Sequence, residues 1–185
     1  FRQSELDSDS WNLYGEAVAQ IINRIDADCQ LLGTVAFIGQ GMQTGRNSVF
    51  IVDQGTLDRY RIEPELIRRN VKNQDIKPYN LAFRGLYLIY PEAVADLAQF
   101  PHAKAYLEEH RASLEERAAY KRGDCEWWRF TWPLHKERYH LPKILTPFIA
   151  PENRFALDSL GSFVGLTDSY AIFPTDQSPD LYYLL

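Results

Sequence analysis

The sequence has few of the features that mark a secreted, membrane or metal-binding protein. Its 185 residues include only two cysteines, Cys29 and Cys125, which excludes a disulfide framework and favours a reducing, cytoplasmic location. No apolar run approaches the roughly 20 residues that a membrane helix needs, so no membrane partner is expected. The chain begins at Phe1 without an initiator methionine or a signal peptide, and we therefore expect it to be a fragment of a longer protein.

Signatures of catalysis are also lacking. The sequence contains no Gly-x-Ser-x-Gly, no His-Glu-x-x-His and no phosphate-binding P-loop. His135 and His140 have no cysteine or carboxylate at ligand spacing, so a metal site is not predicted. The sequence therefore predicts a binding function, with no catalytic residue in this chain.

Positive charge is scarce overall but unevenly distributed. The chain has 20 basic and 25 acidic residues, a net charge of −5. Residues 59–84 nevertheless carry seven basic and three acidic side chains, and residues 104–143 carry nine and seven. Charges farther away than about 8 to 10 Å are largely screened, so a basic surface in the middle of the chain can bind phosphate although the whole chain is acidic.

The hydrophobic pattern predicts one α+β domain over residues 1–185, with a helix at 11–26 leading into a body at 27–185. A 45% hydrophobic composition supplies enough apolar side chains for a core. A second helix is predicted from Pro101 to Tyr120, and a further helix begins at 181–185. Short apolar runs predict strands at 31–38, 48–53, 66–71, 86–90, 127–132, 143–147, 154–158, 161–166 and 170–173. The expected fold is a compact mixed sheet or barrel-like body of short strands with two main helices.

The sharpest local motif is Gly-Gln-Gly-Met-Gln-Thr-Gly-Arg-Asn at 39–47, called here the glycine loop. It has three interpretations. It could be a hairpin connection that uses glycines for positive φ, or a cofactor loop for S-adenosylmethionine built on Phe37-x-Gly39-x-Gly41, although a strand rather than a helix is expected to follow it. In the third interpretation its polar side chains contact DNA.

A basic segment at 59–84 surrounds the amide pair Asn73-Gln74. Cations can hold phosphates, while Asn and Gln can read base edges; a solvated charged surface is the alternative interpretation. The aromatic run 127–132 is predicted to pack in the core on at least one face, with base stacking as the alternative. The polar loop 135–140 is interpreted as a contact loop.

Short motifs succeed one another from about Leu31 to Leu185: the glycine loop, Val49-Phe50-Ile51, Ile76-Lys77-Pro78-Tyr79, Leu88-Ile89-Tyr90-Pro91, Tyr106-Leu107 through Leu114-Glu115-x-Arg117, Trp127-Trp128, Pro142-Lys143-Ile144, Arg154-Phe155-Ala156-Leu157-Asp158 and Thr167-x-x-Tyr170. This order of motifs resembles the TaqI-like C-terminal specificity domain, the target-recognition domain of adenine-specific DNA methyltransferases and fused restriction-modification enzymes.

The resemblance implies that this chain selects a site on double-stranded DNA, while a separate N-terminal methyltransferase domain binds S-adenosylmethionine and methylates adenine. The family motifs and the basic loops together give the candidate DNA-contacting residues Gln43, Thr44, Arg46, Asn47, Arg68, Arg69, Lys72, Asn73, Gln74, Lys77, Tyr79, Lys121, Arg122, Lys136, Arg138 and Lys143. Two alternatives stay open at this point: a small S-adenosylmethionine-dependent methyltransferase, and an RNA- or protein-binding module.

Overall fold

A computed structural model describes residues 15–176, 178 and 180–185 and shows a mixed α+β body, as predicted. Its helices are α1 (Glu16–Asp28), α2 (Leu32–Val35), α3 (Asn47–Phe50), α4 (Gln54–Tyr60), α5 (Pro101–Glu109), α6 (Arg111–Glu115), α7 (Ala118–Lys121) and α8 (Leu181–Leu184). The first helix is confirmed over its described part, and its predicted start at 11–14 lies outside the described residues. Among the described helices, none is long and apolar enough to cross a membrane.

The strands are short: β1 (Ala36–Gln40), β2 (Ile51–Asp53), β3 (Ile67–Val71), β4 (Ile76–Lys77), β5 (Asn80–Leu81), β6 (Leu86–Ile89), β7 (Lys143–Pro147), β8 (Ala156–Asp158), β9 (Phe163–Gly165) and β10 (Ser169–Pro174). They form an antiparallel sheet in the order β1-β10-β7-β8, a mixed sheet in the order β2-β6-β3-β9, and the hairpin β4-β5. In the mixed sheet, β9 runs parallel to β3. Neither larger sheet closes into a barrel over the described residues, which confirms the compact mixed-sheet alternative.

One large apolar cluster holds the mixed sheet, helices α5 and α6 and the aromatic run 127–132 together. Phe50 and Phe130 are both fully buried, and their rings meet edge to face with centroids 5.0 Å apart. Burying a side chain of this size contributes about 1.5 to 3 kcal/mol. Trp128 is buried in the same cluster, so the core interpretation of the aromatic run is correct for Trp128 and Phe130.

Two predictions about the segment 101–132 are wrong. The predicted helix 101–120 is three helices, since the backbone leaves the helical conformation at His110 (ψ 4°) and again at Arg117 (ψ 135°). The Arg117 side chain turns inward and donates hydrogen bonds to the carbonyls of Leu114, Trp127 and Arg129 at 2.7–2.8 Å. Arg117 thus satisfies the carbonyls of Trp127 and Arg129, and residues 127–131 form turns and irregular structure, with a β-bridge at Trp132, instead of the predicted strand.

The chain on either side of the glycine loop is also more helical than predicted. Residues 32–35 form a helical turn before β1, and α3 occupies residues 47–50 before β2, where continuous strands were expected. The carbonyl of Arg46 accepts the backbone N–H groups of Val49 and Phe50, which closes the turn of α3. Helix α4 was not predicted; it begins where the Asp53 carboxylate accepts the N–H of Thr56 at 2.8 Å, and this bond lowers the pKa of Asp53. The strands predicted at 66–71, 86–90 and 143–147 are confirmed as β3, β6 and β7.

Candidate nucleic-acid interface

The glycines of the glycine loop are required by packing. A side chain at Gly41 would overlap the backbone carbonyl of Leu166, and one at Gly39 would overlap the ring of His135. Gly45 has a positive φ of 76°, a conformation that L side chains rarely adopt. The protein itself therefore fills the space beside these glycines.

Thr44, at the centre of the loop, stabilises the start of α3. Its hydroxyl donates to Asn47 Oδ1 at 2.6 Å and accepts the backbone N–H of Arg46 at 3.1 Å. Its carbonyl accepts a hydrogen bond from Arg117 at 2.8 Å. Thr44 is 0% exposed, so this structure does not present its side chain to a DNA phosphate or base, and its predicted contact with DNA stays a prediction.

The other loop candidates are only partly available to a ligand. Arg46 Nη2 donates to the carbonyl of Ser113 at 2.8 Å and lies 3.5 Å from Glu116 Oε2. The backbone of Gln43 forms a β-bridge with Trp132, while Asn47 is exposed. The Thr44 hydroxyl and Arg46 Nη2 are therefore both bonded within the protein.

Lys143 is a second candidate that the structure buries. It is 0% exposed, and its Nζ donates to Asp158 Oδ2 at 2.7 Å and to the carbonyl of Tyr139 at 2.9 Å. Burial lowers the pKa of the Lys143 ammonium, whereas the Asp158 carboxylate opposes that shift. The same carboxylate accepts the backbone N–H of Phe163 at 2.9 Å. Lys143 therefore holds β7 against the start of β9 and is not available to DNA.

Strand β3 carries two consecutive arginines with different environments. Arg68 donates Nη1 to the carbonyls of Glu65 and Ile67 at 3.0 and 2.8 Å, and its guanidinium lies 5.5 Å from the ring centroid of Tyr90. Arg69 is exposed. The two side chains leave the strand in opposite directions, yet both border one cleft.

The turn after β3 holds several candidates in place. The backbone N–H of Lys72 donates to Asp75 Oδ2 at 2.9 Å, and Asp75 forms an ion pair with Arg84 at 2.5 Å. Asn73 Nδ2 donates to the carbonyl of Ile149 at 2.9 Å. Gln74 is exposed beside Arg84. The Asn73 amide is therefore occupied, whereas that of Gln74 is near the surface.

Lys77 and Tyr79 lie in the β4-β5 hairpin and are both exposed. Tyr79 is 74% exposed and has a φ of 61°, a rare value for a tyrosine. The hydrogen bond from its N–H to the carbonyl of Phe155, at 2.8 Å, fixes this conformation and leaves the ring in solvent.

Neighbouring clefts join the β3 arginines to candidates from other loops. A cleft of about 190 Å³ is bordered by Arg68, Tyr90 and Lys136. A second cleft, of about 470 Å³, is bordered by both Arg68 and Arg69. Arg69 also borders a third cleft of about 230 Å³ with Tyr79. A fourth, of about 420 Å³, contains Arg61 and shares Ile67 and Tyr87 with the second. We call this region, defined by Arg61, Arg68, Arg69, Tyr79 and Lys136, the β3 surface.

The β3 surface contains cations that lack carboxylate partners. Among the described residues, no ion pair forms with the neighbouring basic side chains Arg59, Arg61, Arg68, Arg69, Lys72 and Lys77. At the edge of the surface, Lys136 lies 3.5 Å from Glu92. Unpaired cations retain their full charge for an external anion, so the segment 59–77 is the described part of the chain best suited to bind phosphate.

The remaining candidates border none of the four clefts. Lys121 ends α7, and Arg122 forms an ion pair with Asp124 at 2.7 Å. Arg138 lies 3.8 Å from Glu137, and its guanidinium covers the ring of Phe37. The structure therefore does not gather all the predicted residues on one surface.

Sequence reasoning missed the aromatic side chains around Arg69. Tyr87 and Phe163 are in register with Arg69 on the two adjacent strands, and Phe83 lies in the loop before β6. Directly paired residues share a face of the sheet. The alternation within β6 and β9 was readable in the sequence, but the pairing that brings these strands to β3 was not.

Comparison with known proteins gives relatives of one class. No family model matches the chain. It is 26% identical over 178 residues to the Type II methyltransferase M.BstVI of Geobacillus stearothermophilus, covering 92% of this chain and 31% of the relative. It is 26% identical over 147 residues to the Type II methyltransferase M.XhoI of Xanthomonas vasicola, covering 77% and 26%. An 88-residue stretch is 35% identical to the Type II methyltransferase M.BanIII of Aneurinibacillus aneurinilyticus, covering 47% and 15%.

The chain spans less than a third of the length of these relatives. Among solved structures, it is similar to part of the Type IIL restriction-modification enzyme MmeI, determined in complex with DNA, with a TM-score of 0.55 and 12% identity over 79% of this chain and 20% of that one. The match to MmeI concerns the fold. The chain is thus similar to part of several Type II methyltransferases in sequence and to part of a restriction-modification enzyme in fold.

Proposed function

We propose that this chain is the target-recognition domain of a Type II adenine methyltransferase and that it binds double-stranded DNA through the β3 surface. The observation that carries the proposal is the group of unpaired cations Arg61, Arg68 and Arg69 around adjoining clefts. Phosphate contacts from arginine and lysine fix a protein on the duplex, and side chains in the grooves then read the bases. The similarity to Type II methyltransferases supports DNA as the ligand.

Methyl transfer is assigned to a separate N-terminal domain that binds S-adenosylmethionine. The relatives are more than three times as long as the region they share with this chain, which leaves room for such a domain. In this chain, Gly39 and Gly41 contact His135 and Leu166. The glycine loop therefore offers the cofactor no open cradle, which supports the division between a domain that reads DNA and one that transfers the methyl group.

The first experiment measures binding of the 185-residue chain to a fluorescent random-sequence 20-base-pair duplex over a series of salt concentrations. We expect log K to fall linearly with log salt, by about 0.9 for each phosphate contact. Single-stranded RNA of the same length and S-adenosylmethionine are titrated in parallel. A preference for the RNA, or binding of the cofactor without binding of the duplex, would reject the proposal in favour of one of the two alternatives.

A pair of charge-matched triple variants locates the interface. The first variant replaces Arg61, Arg68 and Arg69 with glutamine. The second replaces Arg24, Lys104 and Arg111 with glutamine. Each of these three side chains lies within 4.0 Å of a carboxylate one helical turn away. Both variants lose three positive charges. We expect only the first to reduce the salt slope, by roughly two to three; equal losses in both would show that binding follows net charge and not the β3 surface.

A further inference from the structure

The environment of Arg69 is unusual among the arginines of this chain. Its guanidinium carbon lies 5.4 Å from the ring centroid of Phe83 and 5.6 Å from that of Phe163. Phe83 in turn meets the Tyr87 ring edge to face at 5.3 Å and the Phe163 ring at 5.9 Å. The rings thus brace one another around Arg69, and stacking on them limits the orientations of its guanidinium.

The donors of Arg69 are not used within the protein. Among the described residues, none accepts a hydrogen bond from its side chain or forms an ion pair with it, although the side chain is exposed. Its neighbour Arg68 donates to two backbone carbonyls, and the buried Arg117 donates to Thr44 and Trp127 among others. Arg69 therefore combines a positioned guanidinium with unoccupied N–H groups.

We infer that Arg69 reads a guanine in the DNA target, an inference that rests on the proposed function. The guanidinium presents parallel N–H donors, which match the O6 and N7 acceptors that guanine displays in the major groove. A side chain already held by aromatic rings loses less conformational entropy on forming such a pair. The clefts of about 470 and 230 Å³ that Arg69 borders leave space for a base edge to approach.

A lysine at this position separates base reading from phosphate binding. Lysine keeps the positive charge but lacks the planar fork, so it replaces arginine at a phosphate far better than at a guanine. The 185-residue chain is incubated with a library of randomised duplexes, and the bound fraction is sequenced. The same selection is repeated for Arg69→Lys, for Arg69→Ala and for the control Arg61→Gln, whose side chain borders a different cleft.

We expect the wild-type selection to contain one guanine position that both Arg69 variants lose and that Arg61→Gln retains. In the selected duplex, replacing that guanine with 7-deazaguanine removes the N7 acceptor. This change should weaken wild-type binding about tenfold and leave Arg69→Ala binding unchanged. Circular dichroism and thermal melting show whether each variant is folded. If a variant folds poorly, the 7-deazaguanine measurement on the wild-type chain still tests the inference.

Three outcomes would overturn the inference. If Arg69→Lys keeps the wild-type selected sequence, Arg69 is a phosphate contact, and the proposed function survives. If the wild-type chain binds duplexes without sequence preference, Arg69 reads no base in this chain, while binding through the β3 surface still stands. If the wild-type chain does not bind duplex DNA at all, both the inference and the proposed function fail.

Discussion

The glycine loop and the β3 surface both contain arginine and polar side chains, but Arg46 in the loop and Arg69 on the β3 surface differ in how they use their hydrogen-bond donors. In the loop, Thr44 bonds to Asn47, and Arg46 bonds to Ser113. On the β3 surface, the guanidinium of Arg69 lies over the rings of Phe83 and Phe163, and no described residue accepts a hydrogen bond from it. The comparison teaches that a distinctive sequence motif can reflect the backbone conformation that a turn requires. A surface suited to bind a ligand is identified instead by hydrogen-bond donors and charges that have no partner within the protein.

The two regions also have different glycine requirements. Gly41 and Gly45 are needed because Leu166 and Thr131 occupy the space where a side chain would lie. The β3 surface contains ordinary strand residues, and its charge comes from a segment with seven basic and three acidic residues at 59–84. A composition count therefore points to the proposed interface, whereas the more distinctive motif marks a packed turn.

The largest predicted effect tests the structural role of the glycine loop. Arg117→Met removes the donor to the carbonyls of Thr44, Leu114 and Trp127, among others. Leaving these buried acceptors unpaired should lower the free energy of unfolding by about 4 kcal/mol, measured by urea denaturation. The control Arg24→Met changes a side chain that is 87% exposed and should have almost no effect. A loss below about 1 kcal/mol for Arg117→Met would contradict this role.

Lys143→Met tests whether a predicted DNA contact is instead part of the core. Removing one partner of the buried Lys143–Asp158 ion pair should lower the free energy of unfolding by about 3 kcal/mol. Adding Asp158→Asn should recover part of that loss, because it removes the uncompensated charge. Where the single variant remains folded, its affinity for a duplex should equal that of the wild type, and a clear fall in affinity would return Lys143 to the interface.

Arg68→Gln tests the contribution of the β3 surface to DNA binding. Arg68 borders two clefts of the β3 surface, so its loss should reduce the salt slope of duplex binding by about 0.9 and the affinity several-fold. Fluorescence anisotropy at four salt concentrations gives both quantities. An unchanged slope would remove Arg68 from the set of phosphate contacts.

Arg46→Gln should have the smallest effect on DNA binding. Its guanidinium is engaged with Ser113 and Glu116, so duplex affinity and salt slope should match those of the wild type. The free energy of unfolding should fall by about 1 kcal/mol or less, since the lost hydrogen bond is partly solvated. A loss of affinity equal to that of Arg68→Gln would erase the distinction between the two regions.

Local pattern predicted the fold class and the strands whose apolar residues are buried, such as β3, β6 and β7. It failed where a distant side chain determines the backbone. The carbonyl of Thr44 is bonded by an arginine 73 residues later, and that same arginine bonds the carbonyls of Trp127 and Arg129 in the aromatic run. Such contacts depend on the tertiary arrangement and leave no periodic signal.

The candidate site was only partly predictable from the sequence, because it too depends on contacts between distant residues. The charge of the segment 59–84 was visible, but which cations remain unpaired depends on where the carboxylates lie. Lys143 and Arg69 look equally available in the sequence, yet Asp158 neutralises the first and aromatic rings surround the second.

The most direct test compares both regions in one sample of the wild-type chain. In a heteronuclear NMR titration with a random-sequence 20-base-pair duplex, the Nε–Hε signals of the arginine side chains are followed individually. The account predicts that the signals of Arg61, Arg68 and Arg69 shift, while those of Arg46 and Arg117 stay in place. Shifts at Arg46 with unchanged signals from the three β3-surface arginines would contradict it.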